Sequence, residues 1–259
     1  MTQDPEILFV HRDGVGVVTL NRPQARNALT FAMYDEIAAI CADPQARGAT
    51  RALIVTGAGD RAFAAGTDIA QFRDVTTAEA AIAYERRIEG VLEAIEACPV
   101  PTIAAIAGAA TGGGAAIAAC CDLRIAAASA RFGFPIARTL GNCLSIRNYA
   151  RLATLLGPAR VKELIFTARL IEADEGKAIG LYAEVLPDHA ALMARAEKLA
   201  CTIAGHAPLT LRATKEALRR IAQGESHGDD LVTLCYLSAD FREGMQAFLD
   251  KRPPVWRGG

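Results

Sequence analysis

The fold is decided by residues 111–122, TGGGAAIAACCD, where three consecutive glycines precede small apolar residues, two cysteines and an acid. Glycines at the start of a helix let backbone N–H groups come close to a negatively charged atom. The preceding residues 101–108, PTIAAIAG, have the character of a buried strand, and residues 115–121 are predicted as a helix. The stretch therefore predicts a strand, a glycine turn and a helix whose first amides are free to bind a ligand.

A second segment, residues 52–69, ALIVTGAGDRAFAAGTDI, repeats this order of strand, small-residue loop and helix start. Each helix start supplies unpaired N–H donors and a partial positive charge. Two such donors from separate loops can converge on one oxygen as an oxyanion hole. Sequence spacing alone does not bring the loops together, and small residues equally serve tight packing of strand on helix.

The remaining pattern predicts alternating strands and helices, followed by a helical portion from Ser145 onward. Residues 7–20 predict a hairpin about an Asp-Gly turn, and Thr30 is placed to cap a helix that runs to about residue 41. Thr76 and Glu79 resemble a capping box for a long helix ahead of Pro99. Residues 122–128 and 131–135 predict two further short strands.

We expect one α/β core over residues 1–195 and a helical C-terminal region over residues 196–259, the latter serving as a lid or an assembly surface. Two apolar stripes at helical spacing support this division. They comprise Leu192, Ala196, Leu199 and Ile203, and then Leu234, Leu237, Phe241, Met245 and Phe248.

Composition excludes several classes of function. The 259 residues are 52% hydrophobic with a net charge of -1, which gives no electrostatic footprint for nucleic acid or an anionic membrane. Residues 97–121 are uncharged and long enough to cross a bilayer, but two prolines and four glycines favour a buried strand–turn–helix. Seven cysteines without CxxC pairs, and an N-terminus unlike a secretion signal, predict reduced thiols and a cytoplasmic protein.

No metal or dinucleotide site is predicted. The four histidines stand apart from every motif, and no HExxH spacing occurs. No G-x-G-x-x-G with an acid at the required distance lies between a strand and a helix.

Several motifs occur in one order along nearly the whole chain. They are NRPQARNAL at 21–29, AFAAGTDIAQF at 62–72, AGAATGGGAAIAACCDLRIA at 107–126, ADEGKAIGLYAEVLP at 173–187 and GMQAFLDKRPPVW at 244–256. This set resembles the crotonase (enoyl-CoA hydratase/isomerase) superfamily. The resemblance implies a spiral of ββα units, a C-terminal helical region that forms trimers or dimers of trimers, and acyl-CoA substrates of fatty acid metabolism. Coenzyme A would be part of the substrate, and no cofactor would be bound permanently.

The resemblance also implies roles for particular residues. The N–H groups of Thr67 and Gly113 would hold the thioester carbonyl and stabilise an enolate-like oxyanion. The coenzyme A site would comprise Arg26, Ala64, Gly66, Asp68 and Ile69, while Phe248 and Lys251 would reach a neighbouring subunit's nucleotide. From the residues alone, Phe248 also fits a core position, Lys251 a solvated one and Asp68 a helix cap.

Two acids of the family's hydratases are missing. Those enzymes use two glutamates to deliver water across a double bond, and the corresponding positions are Ala116 and Ile136. A positioned acid or base contributes about 10²–10⁴ in rate, so ordinary hydration should be weak.

Residues 136–148, IARTLGNCLSIRN, form the most polar stretch expected beside the thioester. Asn142 is a candidate hydrogen-bonding group. Cys143 follows a Gly-Asn pair, where the dehalogenase branch of the family has a nucleophilic aspartate, so a thiolate nucleophile is one hypothesis. Cys143 as a small buried apolar residue, Ser145 as a helix cap and Tyr84 as part of an apolar stripe are the simpler interpretations.

The leading functional hypothesis is an acyl-CoA enzyme with an oxyanion hole and without the hydratase acid–base pair. Isomerisation, thioester hydrolysis and decarboxylation are alternative reactions for the same pocket. A non-catalytic acyl-CoA binder or structural subunit is the alternative from another class.

Overall fold

The structure is a computed structural model that describes residues 4–73 and 75–259. In these residues ten strands form two sheets, ordered β1-β2-β3-β5-β7-β10 and β4-β6-β8-β9. The strands are β1 Ile7–Arg12, β2 Val15–Leu20, β3 Ala52–Gly57, β4 Ala62–Ala64, β5 Thr102–Ile106, β6 Ala109–Thr111, β7 Leu123–Ala127, β8 Arg131–Gly133, β9 Ile171–Glu172 and β10 Glu184–Leu186.

Eleven α-helices lie in the same described ranges, together with short 3-10 turns at Pro23–Ala25 and Ile69–Phe72. The helices are α1 Phe31–Ala42, α2 Ala78–Glu96, α3 Gly113–Cys120, α4 Ile136–Thr139, α5 Ile146–Leu156, α6 Pro158–Thr167, α7 Ala173–Ala178, α8 His189–Ala204, α9 Pro208–Ala222, α10 Asp229–Tyr236 and α11 Ala239–Leu249. No helix among them is both long and apolar enough to cross a membrane.

The larger sheet is buried on both faces because its central strands are apolar throughout. In β3, Leu53 and Val55 face a core shared with α1, α2 and α3, whereas Ile54 faces α8. Successive side chains of a strand point to opposite faces, so one short run contributes to two cores. The uncharged stretch 97–121 supplies β5, β6 and α3, which confirms the predicted strand–turn–helix.

The chain moves repeatedly from the large sheet to the small one and then into a helix. β3 and β4 precede α2, and β5 and β6 precede α3. The step from β5 to β6 passes through Gly108 at φ 61°, where a Cβ would lie 2.2 Å from the Arg61 carbonyl oxygen, so glycine is required. The predicted spiral of ββα units with helices at its C-terminal end is confirmed.

Several local predictions are confirmed and others are wrong. Asp13 and Gly14 turn the β1–β2 hairpin at positive φ, and Thr30 caps α1 by accepting from the Met33 amide at 3.2 Å. The predicted Thr76 capping box is wrong, because Thr77 accepts from the Ala80 amide and α2 begins one residue later.

The glycine turn is also shorter than predicted. α3 begins at Gly113, two residues before the predicted start, so two of the three glycines are helical. The predicted stripe from Leu234 to Phe248 is broken at Leu237–Ser238 into α10 and α11, because Ser238 caps α11. Leu237 and Phe248 are both largely exposed in the chain.

The expected division between residues 195 and 196 falls inside α8. Leu192, Ala196 and Ala200 of this one helix are buried together against the large sheet, so the core continues to the end of α8. We propose Gly205, between α8 and α9, as the place where the C-terminal helical region begins.

Lys215 fastens this region to the core. From α9 its Nζ reaches Asp122 Oδ2 at 2.7 Å and donates to the Ile95 carbonyl at 3.2 Å. Asp122 in turn accepts from the amide and hydroxyl of Thr102, at 2.7 and 2.8 Å. A nearly buried ammonium thus satisfies both a carboxylate and a helix C-terminus.

We expect Lys215→Met to lower the free energy of unfolding by about 2–4 kcal/mol, because Asp122 would keep its partly buried charge without a cation. Urea unfolding followed by circular dichroism measures the loss. Proteolysis should also become faster in the chain beyond Gly205. Lys198→Met, at an exposed position of α8, is the matched control, and equal stability of the two variants would contradict the tethering role.

Candidate active site

The two small-residue loops meet. β4 and β6 are parallel neighbours, with Ala64 paired to Ala110, so the loops that follow them leave the same edge of the small sheet. A Cβ on Gly112 would lie 3.6 Å from the Gly66 Cα, and both glycines have positive φ, at 52° and 106°. The positive φ at both positions favours glycine, because other residues rarely adopt that backbone conformation.

The amides of Thr67 and Gly113, both at this junction, have no protein hydrogen-bond partner among the described residues. The Thr67 N–H lies between two fixed neighbours: the Gly66 carbonyl accepts from the Leu29 amide, and the Asp68 amide donates to the Leu29 carbonyl, both at 2.8 Å. The Gly113 N–H belongs to the first residue of α3, where no intrahelical acceptor is available.

Both amide positions line a cavity of about 450 Å³. Among the predicted site residues Gly66, Thr67, Asp68, Ile69, Gly113, Ala116, Ile136 and Asn142 line it. The cavity wall does not include Arg26, Ala64, Cys143, Phe248 or Lys251.

Ala116 and Ile136 form an apolar part of the wall. They are 2% and 6% exposed, and Phe134 lies beside them in the lining. Hydrocarbon therefore occupies both positions at which the resemblance places hydratase glutamates.

A chain of three hydroxyl groups lies under the junction. Tyr34 from α1 is 2.9 Å from Thr67 Oγ1, and Tyr84 from α2 is 3.1 Å from the same atom. Burial raises the pKa of both tyrosines, so both remain protonated at neutral pH. These hydrogen bonds from the two tyrosines hold the Thr67 side chain in place and thereby help to orient the Thr67 amide.

Tyr84 therefore has two roles. Its ring packs on Phe72, with centroids 4.8 Å apart, as the predicted apolar stripe requires, while its hydroxyl joins the polar chain. Tyr34 was not among the predicted site residues, because it is fully buried on a helix face with the pattern of a hydrophobic core. A buried tyrosine hydroxyl needs a hydrogen-bond partner, and this requirement could have indicated a polar neighbour.

Glu85 is an acid in the cavity wall that sequence analysis also missed. Burial, and secondarily the Glu89 carboxylate, raise the pKa of Glu85. Glu85 lies three residues before Ile88 and seven before Leu92, which puts it on the apolar face of α2. An acid on an apolar helix face is unusual, and this could have marked Glu85 as a candidate site residue.

Asp68 is a structural residue, as its capping interpretation predicted. Its Oδ1 accepts from the Ala70 amide at 3.0 Å, and its Oδ2 lies 2.9 Å from Arg22 Nη1. The Ala70 hydrogen bond, followed by Arg22, lowers the pKa of Asp68. A carboxylate committed to two donors is poorly suited to proton transfer.

The segment before α5 places its polar residues differently. Ser145 caps α5 by accepting from the Asn148 amide at 3.1 Å and donates to Glu89 at 2.8 Å, as the capping interpretation predicted. Asn142 lines the cavity and donates to the Cys143 carbonyl at 3.4 Å. Cys143 is exposed, so it is not the small buried apolar residue of the simpler interpretation. It is also absent from the cavity wall, where a nucleophilic thiol would have to lie.

The remaining predicted coenzyme A contacts surround the cavity or lie elsewhere. Arg26 is exposed at φ 51°, Ala64 is buried beneath the junction, and Ile69 is 61% exposed at the cavity mouth. Phe248, in α11, is 85% exposed, and Lys251 follows that helix. The described residues hold no cluster of three or more metal-ligating side chains.

The fold and the cavity belong to a class of protein that is recognised by comparison with known proteins. Residues 11–259 match the family model described as enoyl-CoA hydratase/isomerase, and the chain belongs to that family of enzymes. It is 37% identical over 255 residues to a crotonyl-CoA hydratase of Syntrophomonas wolfei, covering 95% of both chains. It is 36% identical over 256 residues to a short-chain-enoyl-CoA hydratase of Clostridium acetobutylicum, again covering 95% of both.

Solved structures agree with the relatives. An enoyl-CoA hydratase/carnithine racemase from Magnetospirillum magneticum superposes with a TM-score of 0.89 at 34% identity, covering 99% of this chain and 97% of that one. The enoyl-CoA hydratase from Bacillus anthracis superposes with a TM-score of 0.86 at 35% identity, covering 98% and 100%.

The junction generates a test of packing. A Cβ on Gly113 would lie 2.0 Å from the Tyr34 hydroxyl oxygen, so we expect Gly113→Ala to lower the free energy of unfolding by about 1–3 kcal/mol. Adding Tyr34→Phe removes that oxygen and should recover much of the loss. Chemical unfolding of the single and double variants measures both effects. Gly90→Ala in α2, where a Cβ meets nothing within 4 Å, is the control. If Gly113→Ala were as stable as Gly90→Ala, the packing argument would be contradicted.

Proposed function

We propose that the chain is an acyl-CoA enzyme whose Thr67 and Gly113 amides bind the thioester carbonyl oxygen and stabilise the negative charge that develops on it. The observation that carries this proposal is the contact of the two loops, which brings two unbonded N–H groups to one cavity. Family membership supports an acyl-CoA substrate. One donor of this kind contributes about 10²–10³ in rate.

The reaction passes through an enolate or a related anion, because such an anion puts its charge on the thioester oxygen. The fixed amides need no reorganisation as the charge forms, and the apolar wall at Ala116 and Ile136 strengthens their electrostatic effect. The same wall offers no carboxyl at either hydratase position. Two-glutamate hydration is therefore the reaction that this cavity serves least well.

Coenzyme A would leave the cavity at its mouth, past Arg26, Gly66, Asp68 and Ile69, while Ala64, buried beneath the junction, would support this region from below. Phe248 and Lys251 are too peripheral to serve the chain's own cavity, and both are exposed. Their placement supports a homotrimer or a dimer of trimers in which they reach the nucleotide held by a neighbouring subunit.

A non-catalytic acyl-CoA binder is the second candidate. The hydrocarbon at Ala116 and Ile136 is the specific observation in its favour. Tight binding of acyl-CoA thioesters without turnover of any of them would establish it, whereas turnover of one thioester would exclude it.

Crotonyl-CoA hydration tests the loss of the acid–base pair. We expect a kcat/KM about 10²-fold or more below that of the Clostridium acetobutylicum enzyme, because each positioned acid or base contributes about 10²–10⁴. Both enzymes are assayed side by side by the loss of the enoyl thioester absorbance. A rate within about tenfold of the relative would contradict the proposal that hydration has been lost.

Removing one amide tests the oxyanion hole. Gly113→Pro deletes the N–H, and proline is tolerated at the first residue of a helix. The variant is made in a Tyr34→Phe background, which clears space for the ring, and the background alone is the control. Across a panel of CoA thioesters we expect turnover to fall by about 10²–10³-fold with an unchanged circular dichroism spectrum. Equal turnover in variant and background would refute the role of Gly113.

A further inference from the structure

The face of α2 that points toward α5 carries four glutamates, and three of them are paired. Glu89 and Glu96 lie 2.5 and 2.7 Å from Arg151, and Glu93 pairs with Arg147. Glu85, one turn before Glu89, pairs with no cation among the described residues. The backbone N–H of Ser145 is hydrogen-bonded to its carboxyl, and the side chain lies in the cavity wall.

The register of α2 fixes Glu85 close to the junction of the two loops. The preceding residue, Tyr84, is hydrogen-bonded to Thr67 Oγ1 at 3.1 Å. Ile88, one turn later, is 7% exposed and also lines the cavity. The carboxyl is therefore held between a residue anchored to the first loop and a residue buried in the core.

Another polar side chain in the cavity wall has an acceptor atom that receives no hydrogen bond. Asn148 of α5 is 5% exposed, and its Oδ1 is buried without any hydrogen-bond partner in the described residues. Leaving a buried acceptor unsatisfied costs about 1–3 kcal/mol, so such an atom indicates a donor supplied by a ligand or an ordered water. Asn148 and Glu85 line the same cavity from neighbouring helices.

We propose that Glu85 is the general acid–base of this cavity and that it takes the α-proton of the bound acyl-CoA thioester. The proposal rests on the proposed function, because the resulting enolate needs the Thr67 and Gly113 amides. Asn148 Oδ1 accepts a hydrogen bond from the acyl group or from a water beside it. The acid–base function thus lies on α2 and not at Ala116 or Ile136, the positions at which the family's hydratases carry theirs.

The step is balanced without another reactant. The Cα–H bond breaks and an O–H bond forms on the Glu85 carboxylate, while the C–H electron pair moves into the enolate and its charge rests on the thioester oxygen. Glu85 then returns the proton to Cα, or to Cγ when the acyl chain carries a double bond between Cβ and Cγ, in which case the double bond moves to lie between Cα and Cβ. A single base suffices for this proton shift, so isomerisation of an enoyl thioester is the reaction class that the cavity fits.

Exchange of the α-protons of butyryl-CoA in D₂O, followed by NMR, tests the base directly without requiring the natural acyl group. The wild-type chain should catalyse the exchange. Glu85→Gln should slow it by about 10²-fold or more, since it keeps the shape of the side chain and removes its basicity. Glu79→Gln, the same change at an exposed position of α2, is the matched control and should exchange at the wild-type rate.

Binding separates catalysis from affinity. Titration calorimetry with butyryl-CoA should give Kd values for Glu85→Gln and wild type within about threefold of each other. Exchange by Glu85→Gln at a near wild-type rate would overturn the proposal, and so would a loss explained by weaker binding. Wild-type binding without any exchange would overturn it as well while leaving thioester binding intact. Exchange lost through the Gly113→Pro change but retained in Glu85→Gln would overturn Glu85 alone and support the proposed function.

Discussion

The close approach of two backbones in the small sheet is the constraint on which the rest of the structure depends. Parallel pairing of β4 with β6 delivers two loops to one edge, and the helix that follows the second loop then has to pass directly over the first strand. At Gly114 a Cβ would lie 2.3 Å from the Ala64 carbonyl oxygen, so a side chain there would separate them. Gly114, the last glycine of the triplet, is therefore required by packing before it is required by any ligand.

The same density of small residues sets the electrostatics of the cavity. With apolar side chains at Ala116 and Ile136, the polar groups that remain are few and poorly hydrated. Burial then raises the pKa of Tyr34, Tyr84 and Glu85 together. Alanine and isoleucine at these two positions therefore affect more than the count of acids, because a hydrogen bond made in apolar surroundings is electrostatically stronger than one made in water.

Sequence predicted the elements governed by local rules. The hairpin turn at Asp13-Gly14, the Thr30 cap and the two small-residue loops each depend on neighbours in the chain. The helix start was predicted at Ala115 but lies at Gly113. The prediction was wrong because tertiary packing allows glycines inside the first turn of α3. Glu85 and Tyr34 escaped prediction because their roles depend on what lies across the cavity: neither an acid on an apolar helix face nor a core aromatic shows by itself what it contacts.

The cavity and the C-terminal helices draw on separate parts of the chain. Every residue that lines the cavity lies between Ala25 and Asn148, whereas α10 and α11 have apolar residues that stay exposed, such as Phe248. Lys215 links the two parts through Asp122, which lies just beyond α3 and outside the cavity wall. Substitutions at Ala116, Ile136 or Glu85 would therefore alter the cavity wall without touching that link. This separation allows the residues of the cavity wall to vary while the C-terminal helices stay attached to the core, provided that the two loops keep their contact.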